Sequence, residues 1–228
     1  MEPLGIEGAW LHRPRIHRDD RGSFLECFRA ADLTACTGRG LALAQVGVSV
    51  SSQGVLRGIH FADVPPGQAK YVTCTSGEVL DVVVDIRQGS PTFGSWRSVR
   101  LDEEERAAVF VSEGLGHAFM ALTEGATLVY MCSQPYAPER EHGIDPLDPE
   151  CGIEWPGDVT PVLSNKDRAA PGLSDALATG LLPSYRRCQD LHECLASADF
   201  PKSAAGFPHH GRDTNRPTES ETTGGNAR

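Results

Sequence analysis

The sequence lacks the features of membrane, secreted and nucleic-acid-binding proteins. No apolar run in its 228 residues approaches the ~18–20 residues of a membrane-spanning helix. The N-terminal segment MEPLGIEGAW has no basic stretch followed by an apolar one, so it does not predict a secretory signal. The 31 acidic residues exceed the 21 basic ones, which gives a net charge of -10. Because nucleic acids and anionic membranes repel such a chain, we predict neither as a partner.

Common cofactor-binding and hydrolase motifs are missing as well. The chain has no GxGxxG or GxxxxGK[ST] loop, no GxSxG elbow and no HExxH pair. Its seven cysteines are odd in number and contain no CxxC pair, which predicts free thiols in a reducing cytoplasm. Cys27, Cys74 and Cys132 fall on predicted strands, where we expect them to be buried.

The chain is rich in turn-forming residues and in short apolar runs. It contains 24 glycines and 16 prolines. Turn signals separate the runs at intervals of roughly 8–12 residues, which is typical of a β-sandwich or β-barrel. The sequence therefore predicts an all-β fold, with strands over residues 45–51, 55–61, 70–75, 79–86, 95–101, 107–112, 117–122 and 126–134.

The two ends of the chain differ from this central part. Residues 1–30 predict a hairpin arm with strands over 10–16 and 24–28 and a turn at 19–22. Residues 31–42 fit a short helix or a loop, residues after 135 read as loops, and short helices are predicted over 175–181 and 185–196. Residues 201–228 have almost no apolar content, which predicts a disordered tail. We therefore expect one domain over 1–186, a short helix over 187–200 and a tail over 201–228.

The densest group of chemically useful residues lies at 54–60. On a regular strand, Gly58 and His60 share one face and Arg57 the other. A pocket that uses both Arg57 and His60 therefore requires a bulge or a turn at Gly58. Taken alone, a histidine on a strand is more often structural than catalytic.

Four further candidates lie on separate parts of the chain. Lys70 opens a strand, and a lysine there is usually a solvated edge charge, although it can also stabilise an oxyanion. His117 follows a glycine turn, and Tyr130 lies within a strand, where tyrosines mostly pack in the core. Asp167 reads as a turn or helix-cap residue. Spacing alone does not pair these residues.

Seven segments, taken in order, resemble the dTDP-4-dehydrorhamnose 3,5-epimerase family over roughly residues 3–185. The resemblance implies a cupin-type double-stranded β jelly roll with short C-terminal helices. It also implies a homodimer whose N-terminal strands are exchanged between subunits. The segments are DDRGSFLE (19–26), GVLRGIHF (54–61), PPGQAKYV (65–72), GEVLDVVVDIRQGSPTFGSW (77–96), GLGHAFMAL (114–122), YMCSQPYAPEREHGIDPLDP (130–149) and LSNKDRAAP (163–171).

The resemblance also implies roles for individual residues. His60 is the expected general base, oriented by Asp167, and Tyr130 is the expected general acid. Lys70 is expected to stabilise an enolate. No metal or organic cofactor is implied, because the histidine motif lacks the His-x-His of metal-binding cupins. The expected substrate-binding residues are Arg21, Glu26, Gln45, Arg57, His117, Tyr136, Glu141 and Lys166, with Arg21 and Glu26 reaching the partner's site and Tyr136 stacking on thymine.

The activity implied is cofactor-independent inversion of C-3, C-5 or both in a dTDP-4-keto-6-deoxyhexose, in deoxysugar biosynthesis for a secondary metabolite. Gly47 departs from the family pattern Gln-x-Asn-x-Ser, and Phe61 replaces a tyrosine. Because of these differences, the sequence does not determine which carbon is inverted. Two alternatives are a cupin-fold sugar-nucleotide 3,4-ketoisomerase and a non-catalytic dTDP-sugar-binding protein.

Overall fold

Two antiparallel sheets pack face to face as a cupin-type jelly roll in the computed structural model, which describes residues 1–197. The strands are β1 (Glu2–Pro3), β2 (Ala9–His12), β3 (Ile16–Asp19), β4 (Gly22–Leu25), β5 (Gln45–Ser51), β6 (Leu56–Ala62), β7 (Lys70–Ser76), β8 (Glu78–Val84), β9 (Trp96–Asp102), β10 (Ala108–Val111), β11 (Gly116–Ala121), β12 (Ala126–Cys132) and β13 (Glu141–Gly143). The helices are α1 (Ala30–Thr37), α2 (Asn165–Arg168), α3 (Leu173–Ala178) and α4 (Tyr185–Ser197). The predicted all-β class is confirmed.

The two sheets enclose an apolar core between them. One sheet has the strand order β1-β2-β10-β7-β12-β5 and the other β13-β6-β11-β8-β9, while β3 and β4 form a separate hairpin. Because side chains alternate along a strand, every second residue of β7, β8, β11 and β12 points between the sheets. The inward apolar residues include Val72, Cys74, Val79, Val83, Phe119 and Leu128. The strands predicted over the central region are confirmed, with differences only at their ends.

The predicted N-terminal hairpin is confirmed only in part. β3 and β4 pair across the predicted turn. The prediction of one first strand over residues 10–16 is wrong, because β2 ends at His12 and pairs with β10 in the six-stranded sheet. Pro14 separates β2 from β3, since proline has no N–H for a strand ladder. The second strand ends at Leu25, and Cys27 beyond it is exposed, contrary to prediction.

Two short elements lie where only loops were predicted. β13 pairs with β6, and α2 follows Ser164, whose side chain caps the helix. Residues 30–37 form a helix rather than a loop, and α3 and α4 confirm the predicted short helices. Cys74 and Cys132 are buried as predicted, and all seven cysteines are free thiols.

The C-terminal helix α4 packs against the body through Cys188, which is fully buried. The predicted disordered tail over 201–228 lies outside the described residues. Within residues 1–197, no helix has the length and apolar character needed to span a membrane.

Candidate active site

The space between the sheets changes from apolar to polar toward one end. On β7, Lys70 continues the inward face of Val72, and on β11, His117 continues the inward face of Phe119. Tyr130 on β12 packs against the same core. The alternation of strand residues therefore directs the predicted lysine, histidine and tyrosine into one space.

A bulge at Gly58 brings Arg57 and His60 to the same site. His117 lies opposite His60, but Phe119 lies opposite Arg57, so β6 has one more residue than β11 over this stretch. Gly58 has φ +123°, and an added Cβ would lie 2.5 Å from the Cβ of Ala118. The Arg57 Nε–H donates to Ser51 Oγ at 3.3 Å. The predicted bulge is confirmed, and only glycine fits it.

His60 and Asp167 form a hydrogen-bonded pair. His60 Nε2 lies 2.6 Å from Asp167 Oδ1, with the His60 side chain 33% exposed and the Asp167 side chain only 5% exposed. Helix α2 holds the carboxylate, because Ser164 Oγ accepts the Asp167 N–H and donates to Asp167 Oδ2 at 2.8 Å. A carboxylate that accepts from Nε2–H leaves Nδ1 of His60 as the nitrogen able to take a proton.

The Asp167 carboxylate is stabilised in its charged form. Burial opposes that form, but hydrogen bonding and charge from His60, with further help from Ser164, outweigh burial and lower the pKa of Asp167. An ionised Asp167 can orient the imidazole and stabilise its protonated form.

Tyr130 is partly buried beside open space. Burial raises its pKa, which keeps the phenol protonated at neutral pH. Its hydroxyl lies 3.2 Å from Ser49 Oγ. Gly47 is its register partner on β5, and an added Cβ there would meet only Gln45 Nε2, at 3.9 Å. The missing side chain at Gly47 therefore leaves room next to the phenol.

Lys70 is the partly buried cation of the site. Burial lowers the pKa of its ammonium group, and the charges of Cys132, Glu141 and Asp81 oppose that effect. A desolvated ammonium group interacts strongly with negative charge that develops nearby.

His117 belongs to a second histidine–carboxylate pair. Its Nε2 lies 2.8 Å from Asp81 Oδ2, and both side chains are buried. The sequence analysis singled out His117 but not Asp81. A signal was available, because Asp81 is the only charged residue in the apolar run VLDVVV.

Gln45, Tyr136 and Glu141 lie around one loop. The backbone N–H of Tyr136 donates to Gln45 Oε1 at 2.9 Å, and the backbone N–H of Ala137 donates to Glu141 Oε1 at 3.3 Å. The Tyr136 side chain remains exposed and available for stacking. Lys166 is exposed on α2, adjacent in sequence to Asp167.

Two predicted binding residues are not brought to this cluster. Arg21 lies at the hairpin turn and bonds Asp19. The Glu26 carboxylate is paired with Arg29, at 3.8 Å. Within one chain, these contacts keep both side chains on the arm.

A jelly roll with an inward-facing histidine–aspartate pair, a protonated tyrosine and a partly buried lysine points to an enzyme class, the carbohydrate isomerases. The sequence profile of dTDP-4-dehydrorhamnose 3,5-epimerase matches residues 3–175. The chain belongs to this family and is a carbohydrate epimerase.

Three relatives illustrate the similarity. A dTDP-4-dehydrorhamnose 3,5-epimerase from Streptomyces griseus is 56% identical, over 82% of this chain and 94% of the relative. The crystal structure of ChmJ, a 3'-monoepimerase from Streptomyces bikiniensis in complex with dTDP-quinovose, has a TM-score of 0.84 and 52% identity, covering 86% of this chain and 99% of that one. NovW, a 4-keto-6-deoxy sugar epimerase from the novobiocin biosynthetic gene cluster of Streptomyces spheroides, has a TM-score of 0.81 and 54% identity, covering 82% and 94%.

Proposed function

We propose that this epimerase inverts C-3 of a dTDP-4-keto-6-deoxyhexose, with or without C-5, by a cofactor-independent proton transfer. The observation that carries the proposal is the 2.6 Å contact between His60 and Asp167, beside the space between the sheets toward which Tyr130 and Lys70 also point. C-3 is named because the 3,5-epimerase from Streptomyces griseus and the 3'-monoepimerase ChmJ both act there.

His60 is the base that removes the proton. A hydrogen on carbon next to a ketone is acidic, because its loss gives an enolate. A neutral imidazole suits that step near pH 7, and Nδ1 is the nitrogen left free by the Asp167 contact. Asp167 then stabilises the imidazolium that forms.

Lys70 and Tyr130 complete the inversion. The Lys70 ammonium stabilises negative charge on the C-4 oxygen, which grows only as the enolate forms. Inversion requires a proton to be delivered to the other face of the ring, and the protonated phenol of Tyr130 is the acid available. Because the substrate's own ketone acidifies the hydrogen, the reaction needs no metal or organic cofactor.

The relatives support the substrate class and the pathway. ChmJ was crystallised with dTDP-quinovose, and NovW comes from an antibiotic gene cluster. We therefore propose a role in making a deoxysugar of a secondary metabolite.

The decisive experiment incubates the enzyme with dTDP-4-keto-6-deoxyglucose in deuterated water and follows the sugar ring by NMR. We expect deuterium at C-3, an inverted C-3 centre and a carbonyl that stays at C-4. In the His60→Ala variant, incorporation is expected to disappear. A carbonyl moved to C-3 would favour the ketoisomerase, and binding without label would favour the non-catalytic alternative.

We further propose that two copies of the chain form the functional dimer. β5 is an edge strand whose outward Val46, Val48 and Val50 are 57%, 64% and 66% exposed. Val129 and Met131 of β12 are their register neighbours on that face. A long apolar edge of this kind promotes association unless it is covered. A second copy covers it, and its arm delivers Arg21 and Glu26 to the partner's site.

Light scattering during size-exclusion chromatography tests the dimer. The wild type is expected at twice its 24.5 kDa chain mass. Val48→Glu is expected to shift it toward monomer, because a buried charge opposes association. Val162→Glu is the matched control, since Val162 is 53% exposed but lies off this face. A monomeric wild type would contradict the proposal.

A further inference from the structure

Asp63, which directly follows β6, contacts the chain on both sides of Glu141. Its backbone N–H donates to the carbonyl of Arg140 at 3.0 Å. Its side-chain Oδ1 lies 2.8 Å from Nε2 of His142. An ionised carboxylate only accepts hydrogen bonds, so His142 carries the hydrogen on Nε2 and donates it to Asp63. One residue therefore holds both neighbours of Glu141.

Glu141 in turn holds the loop over residues 134–140, which presents Tyr136 to solvent. The backbone N–H of Ala137 donates to Glu141 Oε1 at 3.3 Å, and the backbone N–H of Tyr136 donates to Gln45 Oε1 at 2.9 Å. These two hydrogen bonds fix the backbone on which the exposed Tyr136 ring is mounted. The position of Glu141 therefore affects the direction in which that ring points.

Strand β13 needs side-chain contacts to stay in place. It has three residues, Glu141–Gly143, and lies at the edge of its sheet beside β6. A strand this short forms few ladder hydrogen bonds, so its attachment depends on what its side chains touch. The ring of His142 packs on buried Phe61, with 5.5 Å between centroids, and bonds Asp63. The loss of the Asp63 contact should loosen β13 without opening the core.

We propose that Asp63 is a positioning residue for the nucleotide part of the substrate. Through His142 it holds β13, and β13 supplies the Glu141 carboxylate that shapes the Tyr136 loop. The inference rests on the proposed function and on the stacking role expected of Tyr136. A loop already held in its binding shape binds more tightly, because less of the binding free energy is used to order it. Proton transfer by His60 is left unchanged.

Binding of dTDP alone tests the proposal, because dTDP has the base and the diphosphate but no sugar. We expect Asp63→Ala to raise the Kd of dTDP about three- to tenfold, the range for one hydrogen bond. The KM for dTDP-4-keto-6-deoxyglucose should rise by a similar factor, while kcat stays within about twofold of wild type. Isothermal titration calorimetry and steady-state kinetics measure these quantities. A folded Asp63→Ala enzyme with an unchanged Kd for dTDP would overturn the inference, whether or not kcat falls.

Three further variants separate this contact from a general loss of surface charge. Asp63→Asn keeps an oxygen that can accept from His142 and should bind dTDP like wild type. His142→Ala should match Asp63→Ala, and the double variant should change little more, because both remove one hydrogen bond. Asp190→Ala is the matched control: Asp190 pairs with Arg186 on α4, and its side chain is 53% exposed, against 48% for Asp63. An equal rise in Kd in Asp190→Ala would contradict the proposal.

Amide hydrogen exchange measured by mass spectrometry reports on the loop itself. The backbone N–H groups of Tyr136 and Ala137 are both hydrogen-bonded, so a peptide covering residues 134–143 should exchange faster in Asp63→Ala than in wild type. A peptide covering residues 185–197 should exchange equally in both. Unchanged exchange over 134–143 would contradict the route from Asp63 to Tyr136. A wild-type enzyme that neither binds dTDP nor incorporates deuterium would instead count against the proposed function itself.

Discussion

Two histidine–carboxylate pairs sit on neighbouring strands of one sheet, at positions that are register partners, yet their surroundings differ. His60 is one-third exposed, and both oxygens of Asp167 are hydrogen-bonded. His117 is 5% exposed, and one oxygen of Asp81 is unpaired. The first carboxylate comes from a short helix outside the sheets, and the second from a strand within them.

The difference supports the proposal that one pair of residue types serves two roles here. A base needs access to substrate and a carboxylate that is stable in its charged form as the imidazole gains a proton, which describes His60 and Asp167. His117 and Asp81 are both held in the core, which suits the role in substrate binding expected for His117. The environment rather than the residue type separates the roles.

The largest expected effect comes from Tyr130→Phe, which removes the proposed acid and leaves both pairs intact. Epimerised product should fall about 10²–10⁴-fold, the usual contribution of a general acid. Deuterium should still enter at C-3 with retained configuration, because His60 can return a proton to the face from which it took one. NMR in deuterated water measures both quantities. Equal loss of label and of inversion would show that Tyr130 is needed for proton removal too.

Asp167→Asn is expected to lower kcat about 10²-fold or more, because an amide no longer stabilises the imidazolium. Asp81→Asn, at the equivalent place in the other pair, should act mainly on KM. Measuring both variants with one substrate preparation compares the pairs directly. The same kinetic pattern in both variants would contradict the division of roles.

Acid unfolding gives an independent view of the Asp167 pair. The pKa of Asp167 in the folded state lies below its ordinary value of 3.8. Its contribution to the free energy of unfolding is therefore present above that value and is lost as the pH falls through the lowered pKa. The stability difference between wild type and Asp167→Asn should be largest near neutral pH and shrink in acid. Urea unfolding at several pH values measures it, and a difference independent of pH would contradict this origin.

The smallest effect is expected from Ser164→Ala. Ser164 caps α2 and donates to Asp167, so its loss should reduce the free energy of unfolding by about 1 kcal/mol. The activity should fall only a few-fold, because His60 still holds the other carboxylate oxygen. Thermal unfolding and kcat measurements test this, with Ser174→Ala, within α3, as a serine control.

Local sequence patterns predicted most of the fold and part of the site. Alternation of apolar residues predicted the central strands, and the geometry of Gly58 and His60 predicted a bulge that the register confirms. Pro14 was a signal that residues 10–16 are not one strand, since a proline rarely continues a strand.

The rest depended on contacts between distant parts of the chain. His117 and Asp81 are 36 residues apart, and His60 and Asp167 are 107 apart. The former pair was not anticipated, and the latter came only from family resemblance, because strand order decides which side chains meet. The short elements β13 and α2 carry too few residues for a periodic signal and are held by pairing with β6 and by the Ser164 cap.

The most direct test of the account compares His60→Gln with His117→Gln. In each variant the glutamine amide lies near the position of Nε2, beside the paired carboxylate. Neither variant has an atom at the position of Nδ1. At saturating dTDP-4-keto-6-deoxyglucose in deuterated water, His60→Gln should lower the rate of deuterium incorporation at C-3 by about 10²-fold or more. The rate in His117→Gln should stay within a few-fold of wild type. Incorporation that persists in His60→Gln and disappears in His117→Gln would contradict the assignment of His60 as the base.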